Sequence, residues 1–371
     1  MPDIDPAALV SRVLLATFAL SFAFGAIAQR THFCTMGAVS DVVNMDDWTR
    51  ARMWALAIAV ALLGFNAMVG LGWIEARDTI YAAPRLLWLS ALVGGAMFGF
   101  GMVLASGCGS KSLVRLGAGN LKSLVVLLVL GLSAFATLRG ITGVLRVATV
   151  DKVGVDLATG QDLPSLLAAA SGLPARALAL AIGGALALAL IAWVVRRREG
   201  RSAEVWLGGA GIGLVIAAVW WVSGRLGYLA EDPNTLEEVF LATNSRRMES
   251  LSMVSPVAYT LDWLMFFSDK SKALTLGIVS VAGIVLGAAA TALAGRSFRW
   301  EGFGGTEDVA NHLVGGLLMG VGGVAALGCT IGQGISGVST LSIGSFVALA
   351  AIVGGAVLAL RYQVWRLERM A

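Results

Sequence analysis

The sequence is poor in charge, proline, cysteine and histidine. Of its 371 residues, 13% are charged, seven are proline, three are cysteine and two are histidine. A soluble domain carries about 25% charged residues, so a chain with half that fraction cannot cover a surface in water. Two histidines that lie far apart in the chain also exclude a zinc cluster and a haem with two histidine ligands.

Apolar residues are abundant: 57% of the chain is hydrophobic, 47 residues are glycine and the mean hydropathy is +0.82. Apolar stretches of about 20 residues recur, each long enough to cross about 30 Å of hydrocarbon. Nine spans are predicted, at roughly 8–28, 52–74, 86–107, 121–140, 176–195, 205–224, 272–294, 311–328 and 340–361. No polar segment is long enough for a separate soluble domain. The sequence therefore predicts an all-α polytopic membrane protein that functions within its bundle in the lipid bilayer.

Short, moderately apolar segments lie between these spans. They are 33–45, 108–117, 247–268 and 329–337. Segments of this length cannot cross a bilayer, and they predict four re-entrant half-helices. The first span is expected to be retained, because the acidic start of the chain lacks the basic segment of a signal peptide.

An internal repeat organises the chain. Six residues in and directly after the third span each recur 221 residues later, in and directly after the eighth span. They are Gly94, Gly95, Gly99, Gly101, Gly107 and Cys108, and their partners are Gly315, Gly316, Gly320, Gly322, Gly328 and Cys329. Copies five spans apart cross the membrane in opposite directions, which is typical of the inverted-topology repeats of transporters. The predicted division is repeat one over 1–150 (spans one to four), a linker with span five over 151–203, and repeat two over 204–371 (spans six to nine).

Basic residues indicate the orientation. The net charge is +4, but many of the lysines and arginines flank spans, where they anchor helices, so nucleic-acid binding is not indicated. The cluster Arg196-Arg197-Arg198-Glu-Gly-Arg201 decides the assignment by the positive-inside rule. The N-terminus is predicted to lie outside and the C-terminus inside.

The three cysteines are Cys34, Cys108 and Cys329, and all three lie at helix interruptions. Their odd number and the absence of a Cys-x-x-Cys pair argue against a disulfide scaffold and a dithiol redox site. The repeat would place Cys108 and Cys329 face to face near the midplane, where Cys34 could complete the set. Buried thiols would be neutral S–H groups suited to a soft, sulfur-bearing ligand. A purely structural role as small buried residues is the alternative.

Candidate anion-binding groups lie beside these cysteines. The segments after Cys108 and Cys329, which contain Lys111 and Gln333, leave backbone N–H groups free where a half-helix begins. Lys111 and Arg30 would add positive charge at depth. Tight helix packing of the glycines and snorkelling of the cations stay open as alternatives. No metal or cofactor site is predicted.

Three segments resemble the YeeE/YedE family of sulfur-compound transporters. They are Arg30-Thr-His-Phe-Cys34-Thr-Met-Gly37, the run from Gly94 to Cys108, and the run from Gly315 to Gly337. The resemblance implies an hourglass-like bundle that imports thiosulfate across the bacterial inner membrane, with a periplasmic N-terminus and a cytoplasmic C-terminus. It also implies that Cys34, Cys108 and Cys329 line the passage and interact transiently with the anion. A TusA-like cytoplasmic sulfur carrier would be a separate partner protein.

Two alternatives remain at this point. The substrate could be another sulfur or selenium compound. The protein could also be a membrane enzyme that relays sulfur through cysteine persulfides, although the absence of Cys-x-x-Cys counts against that reading and favours a transporter that is not an enzyme. Soft-metal transport is disfavoured, because Met36, Met102 and Met319 are isolated.

Overall fold

The computed structural model describes residues 6–232 and 236–370, and this part of the chain is almost entirely helical. The α-helices are α1 (Pro6–Arg30), α2 (Thr35–Met45), α3 (Thr49–Gly70), α4 (Trp88–Leu104), α5 (Gly109–Gly117), α6 (Leu121–Arg139), α7 (Ile141–Ala148), α8 (Leu163–Ser171), α9 (Ala175–Val195), α10 (Ala203–Trp221), α11 (Val254–Met265), α12 (Leu276–Ala294), α13 (Thr306–Ala325) and α14 (Ile343–Met370). Two π-helical segments, Val222–Leu226 and Gly332–Gly337, and three short 3-10 helices, Ala76–Asp78, Val150–Lys152 and Glu199–Arg201, complete the helical part.

Two small antiparallel strand pairs join loops. The strands are β1 (Arg85–Leu86), β2 (Val155–Asp156), β3 (Tyr228–Leu229) and β4 (Val239–Phe240), with β1 paired to β2 and β3 to β4. Each strand has only two residues, so these pairs tie loops together without forming a sheet core. The all-α polytopic membrane fold predicted from the sequence is confirmed.

Eight helices within the described residues are long and apolar enough to cross a membrane, against the nine spans predicted. The helix that does not qualify is α13, which begins five residues earlier than predicted. Its first two turns carry Glu307, Asp308 and His312, which lower its hydropathy. The remaining eight predicted spans correspond to helices that qualify.

The four short segments predicted as half-helices are helical. They form α2, α5, α11 and the π-helix Gly332–Gly337. The short helices α7 and α8 were not predicted, and both lie in the loop between α6 and α9. Apolar side chains on α7 are largely exposed, for example Ile141 at 83% and Val144 at 72%. Such a helix is typical of the interface between lipid and water.

Helix direction sorts the loops onto two faces of the bundle. The first face, where α1 begins, carries loops 71–87, 140–174, 227–232 with 236–249, 266–275 and 338–342, and the second face carries loops 46–48, 118–120, 196–202 and 295–305. Isolated backbone bridges join loops of one face only: Thr79 to Met248 on the first face, and Asn120 to Glu301 on the second.

Glycine allows α4 and α13 to cross at backbone contact. A Cβ at Gly94 would lie 2.7 Å from the carbonyl oxygen of Gly322, and a Cβ at Gly101 would lie 2.7 Å from that of Gly315. On their outer sides the two helices pack against different partners. Gly99 of α4 contacts α14, while Gly320, its repeat partner on α13, contacts α6. The buried core includes this crossing and extends through α3 and α10, with Phe65 and Trp220 fully buried.

The two crossing helices also end in the same way. Ser106 after α4 and Leu327 after α13 both have left-handed backbone angles, with φ of 55° and 58°. In each break the next glycine N–H bonds to the carbonyl five residues back, at 2.8 Å. This closing turn ends the helix. It stops each long helix directly before a cysteine.

Candidate functional site

Four short helices begin close together in the centre of the bundle, and each begins at a sulfur-containing residue or just after one. Cys34 is the N-cap of α2, Cys108 that of α5 and Met253 that of α11, while Cys329 precedes the π-helix. The three cysteines are buried and free of disulfide bonds, and Met253 is fully buried. The centre is therefore lined by sulfur.

The thiols of Cys34 and Cys108 face each other closely enough to interact. The Cys34 sulfur accepts the N–H of Gly37 at 3.3 Å, as an N-cap side chain does. The Cys108 sulfur lies 3.2 Å from the Ser110 hydroxyl. Because the Cys34 sulfur accepts the bond from Gly37, its S–H proton is the donor toward the Cys108 sulfur.

Cys329 continues this row toward the first face. Its sulfur accepts the N–H of Gly332 at 3.4 Å and also faces the N–H groups of Ile331 and Met253. It is close enough to Cys108 for an electrostatic interaction, and the Thr330 side chain lies beside Cys108. The three thiols therefore form one row, in the order Cys329, Cys108, Cys34.

Two buried hydroxyl groups accompany the thiols. Thr35 follows Cys34, and its hydroxyl has no hydrogen-bond partner. Thr330 follows Cys329, and its hydroxyl has no partner apart from the Cys108 sulfur that it faces. A buried hydroxyl without a partner loses the hydrogen bonds that it makes in water. Such groups are suited to donate to an anion that lies beside the thiols.

The predicted polar site residues lie at three different depths. Lys111 is half-buried in the first turn of α5 and interacts electrostatically with Cys34 and Cys108. Gln333 is buried, but its side-chain amide turns back to donate to the carbonyl of Ala326 at 2.5 Å. Arg30 ends α1, and its side chain is exposed. The structure thus brings Lys111 to the thiols and directs the amide of Gln333 elsewhere.

A cavity of about 220 Å³ lies between the first face and the thiol row. Its polar lining consists of Arg146, Asn244, Ser245, Glu249, Ser250, Ser252, Ser255, Tyr259 and Ser280. Ser252 packs directly against Gly332, just after Cys329. The cavity is therefore a hydroxyl-rich chamber whose inner wall adjoins the innermost part of the site.

Charge in this chamber comes from one cation and one carboxyl group. The Nε atom of Arg146 lies 3.1 Å from a carboxylate oxygen of Asp151. Burial raises the pKa of Glu249 above its ordinary value, although the N–H of Ser245 donates to its carboxylate at 2.8 Å. Glu249 therefore takes up a proton at a higher pH than an exposed glutamate. Protonation removes a negative charge that would repel an anion.

Other acidic residues near the site have structural partners. Asp41 pairs with Arg50 at 3.3 Å, and Asp262 pairs with Lys272 at 2.5 Å. Asp47 accepts the N–H of Thr49 at 2.9 Å, which caps the start of α3. Across residues 6–232 and 236–370, no group of three or more His, Cys, Asp or Glu side chains could hold a metal ion.

Sequence reasoning missed Met253, Thr35, Thr330 and Ser252. Ser255 lies 74 residues before Cys329, as Cys34 lies 74 residues before Cys108, and this spacing predicts Ser255 as the counterpart of Cys34. In the structure Ser255 lies in the first turn of α11 and lines the chamber. The N-cap itself is Met253, two residues earlier. A usable signal was present at the two threonines, because each directly follows a cysteine at a helix start.

Comparison with known proteins supplies a family. A model described as "Sulphur transport" matches residues 30–358. The chain is 25% identical over 339 residues to a protein named thiosulfate transporter TsuA from Escherichia coli (strain K12), covering 89% of each chain. It is also 25% identical over 342 residues to a protein of that name from Spirochaeta thermophila, covering 89% of this chain and 92% of the other. A segment of 87 residues is 32% identical to the probable transporter YedE of Salmonella typhimurium, and covers 23% of this chain and 20% of that one.

Proposed function

The chain belongs to the sulphur transport family, as its resemblance to YeeE/YedE predicted, and we propose that it imports thiosulfate across the bacterial inner membrane. The names of the two relatives that match along 89% of the chain support this substrate. The observation that carries the proposal is the single row of buried thiols at the centre of the bundle.

The proposed path runs from the first face to the second. Thiosulfate enters the hydroxyl-rich chamber and meets Cys329 at its inner wall. It then passes Cys108 and Cys34 in turn, with Lys111 drawing the anion toward the second face. The electrostatic contacts of Lys111 with both of these thiols support that order.

Weak, repeated interactions suit this path. Thiosulfate is a dianion with a soft terminal sulfur, and a row of thiolates would repel it. Neutral S–H groups can instead donate hydrogen bonds to it, while the N–H groups at the starts of α2 and α5 balance part of its charge. No covalent bond forms, so the anion leaves each position quickly and the protein is not an enzyme in this mechanism.

The path lies between two inverted repeats in this proposal, over 1–150 and 204–371, with 151–203 as linker. Reciprocal contacts support the division: Gly94 meets Gly322 as Gly101 meets Gly315, which is the pattern that a two-fold axis between the copies produces. The matched helix breaks at Ser106 and Leu327 agree with it. Binding at the interface of inverted repeats is typical of transporters.

In the proposed orientation the first face is periplasmic and the second face is cytoplasmic. The cluster that begins at Arg196 lies on the second face, as the positive-inside rule requires. Arg30 lies where α1 ends, and we keep it as a proposed contributor to positive potential rather than a direct ligand. A separate TusA-like carrier would receive the sulfur compound at the second face.

A second candidate is favoured by one observation. Cys34 and Cys108 face each other closely enough to interact. This pair of thiols could not be predicted from the sequence, which has no Cys-x-x-Cys motif. Thiols that are this close can relay sulfur through a persulfide. In that case the protein would be a sulfur-transferring enzyme.

Uptake of ³⁵S-labelled thiosulfate into cells without other sulfate or thiosulfate importers tests the proposal. We expect Cys108→Ala and Cys329→Ala to lower uptake by roughly 10- to 100-fold, because a hydrogen bond to a charged group contributes about 1.5–3 kcal/mol. Thr291→Ala is the control, since the Thr291 hydroxyl bonds within its own helix to Gly287. It should retain wild-type uptake.

The outcomes separate the readings. Wild-type uptake by both alanine variants would exclude the thiol row as the path. Uptake of sulfite, sulfate or a selenium compound in preference to thiosulfate would replace the substrate. A persulfide on Cys34 or Cys108, detected by mass spectrometry of protein taken during turnover, would favour the enzyme.

A further inference from the structure

A second cavity at the first face lies apart from the thiol row. Its volume is about 240 Å³, and it lies between α3, the start of α9 and the loop that follows the π-helix Gly332–Gly337. Oxygen-bearing side chains line its interior, among them Asn66, Asp162 and Thr340. Nothing in the proposed anion path uses this cavity.

Asp162 is a buried carboxylate with one oxygen unused. The residue is 2% exposed. One carboxylate oxygen accepts the N–H of Ser165 at 2.9 Å and caps α8, while the other is buried without any hydrogen-bond partner. Within residues 6–232 and 236–370, no Lys, Arg or His forms an ion pair with it. A buried charge without a counter-charge is unfavourable, so this oxygen is suited to bind a cation.

Neutral oxygens in the same cavity complete a donor set. The Asn66 amide nitrogen donates to the carbonyls of Leu62 and Ser339, at 2.8 and 3.0 Å. Because both partners are acceptors, the atom that bonds to them is the amide nitrogen, and the Asn66 amide oxygen is left without a role in these two bonds. The Thr340 hydroxyl donates to the carbonyl of Gly337 at 2.7 Å, which leaves its lone pairs free.

The cations at the mouth of the cavity are already paired. Glu75 lies 2.7 Å from Arg77 and 3.4 Å from Arg176. These side chains are at least two-fifths exposed and lie at the opening of the cavity. None of them forms an ion pair with Asp162. Among the described residues, the carboxyl group of Asp162 in the interior therefore has no ion-pair partner.

We propose that this cavity binds one sodium ion, held by Asp162, Asn66 and Thr340. A single carboxylate with neutral oxygens suits a hard monovalent cation, since zinc takes nitrogen or sulfur ligands and calcium takes more carboxylates. The cavity adjoins the carbonyl end of the π-helix, and the ends of half-helices coordinate sodium in other transporters.

The position of this site gives it a role in transport, a role that rests on the proposed function. The π-helix begins after Cys329 and ends at Gly337, whose carbonyl accepts the Thr340 hydroxyl. Cys329, which binds the anion in the proposed path, precedes the start of this π-helix, and sodium would bind near its end. Sodium therefore orders the loop that follows the π-helix. One sodium ion that enters with the dianion would also offset one of its two negative charges against an inside-negative potential, and the sodium gradient would add to this.

Binding of ²²Na⁺ to the purified wild-type protein, without thiosulfate, tests the site first. We expect saturable binding of about one ion per chain that potassium and choline do not displace. Asp162→Asn should weaken it by roughly tenfold or more, because asparagine caps a helix as well as aspartate but carries no charge. Asp156→Asn, which removes an exposed carboxylate on the same face, is the matched control.

Absence of saturable ²²Na⁺ binding to the wild-type protein overturns the proposal, and this measurement needs no variant to fold. Equal binding by Asp162→Asn and wild type also overturns it. Thiosulfate uptake by the wild type and by Asp162→Asn is then compared in sodium and in choline. We expect the wild type to lose uptake severalfold in choline and the variant to show no such difference between the two salts. Uptake that follows pH and ignores sodium would assign the site to a proton instead. Absence of thiosulfate uptake in both salts would reject the proposed substrate while the binding result stands.

Discussion

Two thiols of the central row, those of Cys34 and Cys108, occupy N-cap positions where other helices use a hydroxyl, an amide or a carboxylate. Serine, threonine, aspartate and asparagine are the preferred N-caps, and Asn120, Ser202 and Thr275 perform this role elsewhere in the chain. A thiol is a weaker acceptor and a weaker donor. It is also soft and polarizable, so sulfur at these positions fits a sulfur-bearing anion better than it fits capping.

The buried Thr330 hydroxyl beside Cys108 is predicted to donate a hydrogen bond to the anion. Thr330→Val keeps the shape of the side chain but removes its donor, and we expect thiosulfate uptake to fall by roughly tenfold. Thr330→Ser keeps the donor and should stay near wild type. The measurement is the initial rate of ³⁵S-labelled thiosulfate uptake.

The control for this prediction is Thr291→Val, which makes the same chemical change on α12 far along the chain from the thiols. If Thr330→Val and Thr330→Ser lose uptake equally, the loss reflects packing of the segment after Cys329. The hydroxyl would then have no part in anion binding.

Helices in this bundle approach one another through glycine, and the approach differs from place to place. At Gly99 a side chain would overlap the backbone of Ile352, so α4 and α14 touch along their main chains. At Gly184 in α9 nothing lies within 4 Å of the Cβ position. Glycine count therefore says little about packing until the contacts are known.

This difference predicts opposite effects of the same substitution. Gly99→Ala forces α4 from α14 and should destabilise the protein by about 1–3 kcal/mol, as overpacking does. Gly184→Ala meets no neighbour and should be neutral or stabilising by up to about 1 kcal/mol. The midpoints of thermal unfolding in detergent measure both effects. Equal midpoints for the two variants would contradict the backbone contact at Gly99.

The short helices also act together as elements. Since α2, α5 and α11 all begin near the centre, their unpaired N–H groups point at the same region. Each helix start carries about half a positive charge. The centre is thus electropositive without a buried cluster of arginines, and an anion meets a distributed field rather than one strong partner.

At the scale of the whole molecule, membrane potential sets the energetic problem. Moving one negative charge inward against 100 mV costs about 2.3 kcal/mol, so a dianion costs about 4.6 kcal/mol. A row of weak sites speeds passage but supplies no driving force. Import against this potential therefore requires a coupled cation or rapid consumption of the product.

Orientation is the whole-molecule property that can be tested directly. With native cysteines buried, a membrane-impermeant maleimide reaches only an introduced exposed cysteine. We expect it to label Ser171→Cys on the first face of the protein in intact spheroplasts and to leave Gly302→Cys on the second face unlabelled. Both should react in opened membranes. Labelling of Gly302→Cys alone in intact spheroplasts would reverse the proposed topology.

Much of the architecture was readable in the sequence, because transfer from water to lipid depends on local runs of apolar residues. Those runs located eight of the spanning helices and the four short helical segments. The same reasoning counted α13 as an apolar span from 311, because its polar first turns precede the apolar run. It passed over α7 and α8, which are too short for a spanning window.

Some residues of the candidate site could be predicted from the sequence, and others became visible only in the structure. Cys34, Cys108 and Cys329 stood out in the sequence, since three thiols at helix interruptions and one repeat are visible in residue spacing. Which groups surround them is decided by contacts between helices that lie far apart in the chain, such as Met253 beside Cys329. The unused oxygen of Asp162 became visible only when burial was known, because a charged side chain reveals a missing partner only after folding has taken it out of water.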